Sequence, residues 1–130
     1  MAAVSRTWIS STLATEFVSL AAARATLHLI ETKRVPEQLH RLGRRLFAGL
    51  EVLHRQYPNL VAGVGGVAEM CFFQYADEAV SRSVTTACAH AGLLFKRSAY
   101  NFVSLAHTEP VIDRTLQLLD QALSTAAKTA

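Results

Sequence analysis

The sequence predicts an α+β domain: a small, mostly antiparallel sheet with helices over one face, in the order α-α-β-β-α-β-β-α. Three observations predict it. Four stretches repeat apolar residues at spacings of three and four, the period of a buried helix face. After the second stretch and after the third, the period shortens to that of extended chain. Proline, glycine and asparagine punctuate the joints. A chain of 130 residues fits one domain, residues 1–130. It can bury roughly two thirds of its unfolded surface, so it needs no covalent staple.

The first helix is expected over about Ala14–Thr32. Phe17, Leu20, Ala21, Leu27 and Ile30 form its apolar face, interrupted by Arg24, and the alanines at 21–23 and 25 favour helix. Val35-Pro36 breaks it, because proline is well placed at a helix start. The second helix spans about Pro36–Gln56, with Leu39, Leu42, Leu46, Leu50 and Leu53 in one stripe. Gly43 and Gly49 each weaken it by about 1 kcal/mol relative to alanine. Inside so strong a stripe they point to close helix or sheet contacts.

Tyr57-Pro58-Asn59 ends that helix. Leu60–Val67 and Ala68–Tyr75 read as extended. Met70-Cys71-Phe72-Phe73 is apolar on both sides, as in a covered central strand. Asp77 is placed to cap a third helix, with Val80, Val84, Ala87, Cys88 and Ala91 inward and Gly92 as its stop. Leu93–Lys96 and Asn101–Leu105 are two short strands. Thr108 precedes the last helix, Glu109 to about Ala127, with Pro110 tolerated in its first turn and Ile112, Leu116, Leu119 and Leu123 inward.

Composition excludes several classes. The chain is 51% hydrophobic and 18% charged, which is globular and not disordered. The longest uncharged runs, such as Gln56–Ala68, fall short of the roughly 18 residues a membrane span needs, so no membrane association is expected. Ser10, Ser11, Thr12 and Glu16 interrupt any apolar leader. Cys71 and Cys88 sit in apolar segments without C-x-x-C or Cys/His ligand spacing. A reducing, cytoplasmic setting is expected, with no metal. The net charge of +3 gathers in residues 33–55, where six basic residues face Glu37 and Glu51. Such a face suits nucleic acid or a phosphorylated ligand. It suits a solvated helix surface better, since only Phe47 and Tyr57 could stack on bases, and no nucleic-acid partner is expected.

Gly63-Val64-Gly65-Gly66 lacks the G-x-G-x-x-G spacing and is followed by strand, so it reads as a turn or bulge rather than a phosphate loop. Ser10-Ser11-Thr12 is more informative. Hydroxyls beside the unpaired N–H groups of a helix start can hold an anion. They can equally cap the helix through Thr12 or Thr15.

The stretch Ile9-Ser10-Ser11-Thr12-Leu13-Ala14-Thr15-Glu16, followed by Ser19 to Leu27, resembles the start of the C-terminal small domain of class III aminotransferases. These are pyridoxal-phosphate (PLP) enzymes of fold type I, and the glutamate-1-semialdehyde aminomutase-like members are the most similar. Leu42-Gly43-Arg44-Arg45-Leu46-Phe47-Ala48-Gly49-Leu50 looks like the family's G-x-x-L-x-x-G-L helix. Gly63–Gly66 with Phe72 and Phe73 looks like its next strand pair. Gly92–Phe95, Asn101–Thr108 and Ile112-Asp113 look like its C-terminal stretch. The order and spacing of these pieces carry the resemblance over nearly the whole chain. Ala14-Thr15-Glu16 departs from the Gly-Asn-Pro pattern of the aminomutases proper, which favours an aminotransferase.

The resemblance implies a dimer that transfers an amino group between small molecules. The threonine matching Thr12 would contact the PLP phosphate across the dimer interface, with Ser11 beside it. Arg97 and Asn101 would lie near the substrate entrance. The same resemblance places the Schiff-base lysine upstream of Thr12, in a large domain. Met1–Arg6 looks like family sequence just before that threonine, as in a cut within a longer protein. The lysines here are Lys33, Lys96 and Lys128, and the aspartates Asp77, Asp113 and Asp120 belong to the small domain, so no catalytic residue is assigned. The chain is therefore expected to bind no PLP alone and to be silent by itself. The alternative is a non-enzymatic module that associates with itself or a partner through apolar surface.

Overall fold

The computed structural model describes residues 16–97 and 100–129. The chain divides into two compact units, residues 1–35 and 36–130. In the first, α1 spans Phe17–Thr32. It starts after the Ala14 expected from sequence because Glu16 is its N-cap. The Glu16 carboxylate accepts the N–H groups of Val18 at 2.7 Å and Ser19 at 2.6 Å. A hydrogen bond from the Ser19 side chain, followed by these two backbone bonds, favours its charged form and holds it below the ordinary carboxylate range. Thr12 and Thr15, the expected caps, lie outside the described residues. Arg34, at the joint with the second unit, takes φ +46°, a left-handed conformation that is uncommon outside glycine.

The second unit opens on α2, Val35–Gln56, and continues with β1 (Val61–Val67), β2 (Met70–Tyr75), α3 (Glu78–His90), β3 (Asn101–Phe102) and α4 (Glu109–Thr129). The α+β class is as expected, and so is the succession of elements apart from one of the two short strands expected between α3 and α4. The sheet is antiparallel in the order β1-β2-β3. Leu50, Val84, Leu119 and Leu123 from three helices meet Val61, Cys71 and Phe73 from the sheet in one buried core. Truncating Leu50, Leu119, Leu123 or Phe73 to alanine costs about 2–5 kcal/mol.

The two glycines of α2 mark close contacts, one of each kind. A Cβ on Gly43 would strike the backbone of Ala68 in the β1–β2 turn, and one on Gly49 would strike the Leu116 side chain of α4. Two of the arginines from the basic stretch also face α4. Arg41 pairs with Glu109, and Arg45 with Asp113.

Three details depart from the sequence reading. Gly63–Gly66 is not a turn but the body of β1. The irregularity falls at Ala62, where Val61 pairs with Tyr75 but Gly63 with Gln74. β2 is central but covered on one face only. Cys71 and Phe73 are buried, whereas Met70 and Phe72 are half-exposed on the other side. Leu93–Lys96 pairs with no strand. Phe95 turns into the core against Phe73, with ring centroids 5.8 Å apart. The Lys96 N–H goes to a side chain instead of a neighbouring backbone.

Asp77 caps α3 through the Val80 N–H at 2.8 Å. At the other end Gly92 adopts φ +84°, Leu93 N–H reaches the Cys88 carbonyl at 2.8 Å, and Gly92 N–H reaches that of Ala89 at 3.0 Å. This is the six-to-one and five-to-two pair of a Schellman stop, which needs the left-handed residue. It throws the chain off α3 towards the segment that carries the candidate site.

Candidate functional site

Two recesses are lined by residues of the segments Leu93–Arg97 and Tyr100–Val103. The first, about 300 Å³, has Leu46, Phe95, Val103 and Ile112 as its apolar wall, with Lys96, Asn101, His107 and Thr115 among its polar groups. The second, about 370 Å³, lies by the N-terminal end of α3 and includes Phe72, Tyr75, Asp77, Glu78, Ser81 and Arg97. Arg97 and Asn101 are thus near in sequence but line different recesses.

Asn101 has its carboxamide engaged twice. Its Oδ1 accepts the Lys96 N–H at 2.7 Å and its Nδ2 donates to the Cys71 carbonyl at 3.2 Å. The Arg97 guanidinium donates to Glu78 Oε1 at 2.8 Å, and about half of its side chain stays exposed, 46%. Ser11 and Thr12 lie outside the described residues.

His107 was not singled out from sequence. Its Nδ1 accepts the Ser104 N–H at 2.9 Å. Neutral imidazole has one acceptor nitrogen, so the proton resides on Nε2 and the ring offers the recess a donor rather than a base. The signal available was local: a serine three residues before a histidine, between a strand and a helix cap. His40 Nδ1 meets Glu69 at 2.6 Å and His54 Nδ1 meets the Val61 carbonyl at 2.8 Å, so neither is idle. Among the described residues no group of three or more His, Cys, Asp or Glu could hold a metal ion.

PLP chemistry needs a lysine amine and a carboxylate beside the pyridine nitrogen. Lys33, Lys96 and Lys128 are all exposed, and a Schiff-base lysine requires a desolvated pocket. Asp77 caps α3, Asp113 grips Arg45, and Asp120 accepts the Tyr57 hydroxyl at 2.8 Å, so each is committed. The described residues therefore do not fit covalently held PLP. The thiols offer no substitute nucleophile, because burial pushes Cys71 and Cys88 each up to about 11. No helix among the described residues is long and apolar enough to cross a membrane.

No family model matches the sequence. A solved structure does resemble it: the PLP internal aldimine form of the FumI protein from Sphingopyxis sp. MTA144. The superposition has a TM-score of 0.80 at 26% sequence identity, and covers 94% of this chain but 30% of that one. The likeness is to one part of a PLP-bound protein. This chain spans less than a third of FumI's length, and nearly all of it is used in the match.

Proposed function

We propose that the chain is the C-terminal small domain of a PLP-dependent class III aminotransferase, of the glutamate-1-semialdehyde aminomutase-like kind, and that it catalyses nothing by itself. The observation that carries this reading is the likeness to one part of FumI over 94% of the chain. When bound, PLP supplies an electron sink for moving an amino group between an amine and an oxo compound. In this reading Thr12, with Ser11, reaches the cofactor phosphate of a dimer partner. Arg97 and Asn101 stand at the substrate entrance, and the lysine comes from a large domain. Three exposed lysines and three committed aspartates support the silence of the isolated chain. A cytoplasmic location accords with its free, buried cysteines.

Mixing the chain with PLP and scanning its absorbance tests the silence. Only the spectrum of free PLP is expected. A lysine-bound band that disappears on replacing Lys33, Lys96 or Lys128 overturns it. Reading the coding DNA upstream of Met1 tests the parentage: an open frame for a lysine-bearing large domain is expected, and a different upstream domain sinks it.

A second reading, a self-associating or partner-binding module, draws on the exposed aromatic side chains in and beside β3. There Phe102 is 61% exposed and Tyr100 43%. Light scattering separates the two: a clean monomer at high concentration speaks against the module.

A further inference from the structure

We infer that Asn101 is a positioning residue, whose carboxamide fixes the segment Leu93–Arg97 against β2 and so sets where Lys96 and Arg97 stand at the two recesses. The β2–β3 ladder is two pairs long, Met70 with Phe102 and Cys71 with Asn101. Among the described residues no strand continues it beyond Cys71. A carboxamide carries one carbonyl and one N–H₂, the same acceptor and donor as a peptide unit. Asn101 uses them as a peptide would. Nδ2 takes the Cys71 carbonyl of β2 and Oδ1 takes the Lys96 N–H of the neighbouring segment. One side chain thus joins three pieces of backbone where a rung of sheet is missing.

The segment is fastened elsewhere too. Leu93 N–H is tied to Cys88, Phe95 is sunk in the core, and Arg97 meets Glu78 at 2.8 Å. Between Phe95 and Arg97, Asn101 provides the hold. Aspartate in its place keeps an acceptor for Lys96 but loses the donor to Cys71. Alanine loses both. That this hold serves a substrate entrance rests on the proposed function; the hold itself does not.

Amide hydrogen exchange on the whole chain, read by NMR, tests it. In the native protein the Lys96 amide is expected to exchange at least about tenfold more slowly than in an unstructured peptide of the same sequence. Asn101→Ala should remove that protection and release the Arg97–Glu78 pair, while Phe73 and Leu119 amides keep their protection. Asn101→Asp should recover much of the Lys96 protection, which a general loosening would not allow. An unprotected Lys96 in the native chain overturns the inference, as does an Asp variant no better than the Ala variant. Equal acceleration at Lys96 and Phe73 does so as well. If the alanine variant does not fold, the native chain and Asn101→Asp decide. A wrong parentage in the upstream frame would leave these results unchanged, so the two failures are distinguishable.

Discussion

Arg45 grips Asp113 through two parallel hydrogen bonds, Nε to Oδ1 at 2.6 Å and Nη2 to Oδ2 at 2.9 Å, joining α2 to α4 across the surface of the second unit. The geometry is the planar fork that arginine makes with a carboxylate and lysine cannot.

That grip has a pH consequence. The Arg45 bond holds the Asp113 carboxyl below its usual range. A carboxylate whose folded value is depressed stabilises the fold above its unfolded value, about 3.9. The contribution is lost as pH falls through the lower folded value. The expected outcome is an Asp113 midpoint below that of the other aspartates by carbon-13 NMR, returning to the ordinary range in Arg45→Met. Melts of the two proteins should differ at pH 7 and converge in strong acid. High salt should shrink the difference, since both groups are solvent-exposed.

Gly43→Ala and Gly49→Ala should destabilise unequally. At Gly43 the new methyl meets the backbone of Ala68, which cannot step aside without moving the β1–β2 turn. Overpacking of this kind costs about 1–3 kcal/mol. At Gly49 it meets the Leu116 side chain, which can change rotamer. Urea unfolding should rank Gly43→Ala as the less stable, with Gly49→Ala closer to the native chain.

Gly92→Ala isolates a backbone effect. Nothing lies within 4 Å of the added methyl, so no contact changes, but φ is +84°. A loss of about 1–2 kcal/mol is expected from the left-handed conformation alone. Asp77→Ala, at the opposite end of α3, should cost about 1 kcal/mol through the lost cap. The two sites share no partner, so the double variant should show the sum.

Both thiols should be silent in the native chain. Cys71 and Cys88 are fully buried and pushed up to about 11 by desolvation. A disulfide reagent at pH 8 should react only as fast as the protein opens, then stoichiometrically with two thiols in denaturant. Since the folded values lie above the unfolded one, about 8.5, stability should decline as pH rises past it.

The helices were legible because their signals are local. The leucine stripe of α2, the Asp77 cap and the Gly92 stop are each contained within a few residues, and each is found where the sequence put it. Even the contact role of Gly43 and Gly49 could be read, although not which neighbour each would touch. The strands were less legible. Leu93–Lys96 has the composition of a strand, but pairing depends on what lies alongside, and there the Asn101 side chain takes the place of a partner backbone. The glycines of β1 suggested a turn because glycine is scarce in strands. What they serve is the facing strand: Gly63 lies against Gln74, Gly65 against the ring of Phe72 and Gly66 against the backbone of Met70. The candidate site shows the same limit. The family resemblance put Arg97 and Asn101 together at a substrate entrance, whereas the fold gives Arg97 to Glu78 and Asn101 to the backbone.

Gly65 carries a last consequence. The ring of Phe72 lies across it, within reach of where a Cβ would stand, and Tyr100 meets Phe72 edge-on with centroids 5.4 Å apart. Phe102 continues the row at 6.3 Å from Tyr100. The outer skin of β1 is therefore borrowed: a strand nearly bare of side chains there is roofed by aromatics rooted in β2 and in the residues around β3. A single methyl at position 65 would lift the first tile, and the disturbance would travel along the row to the exposed rings of Tyr100 and Phe102 rather than inward to the core.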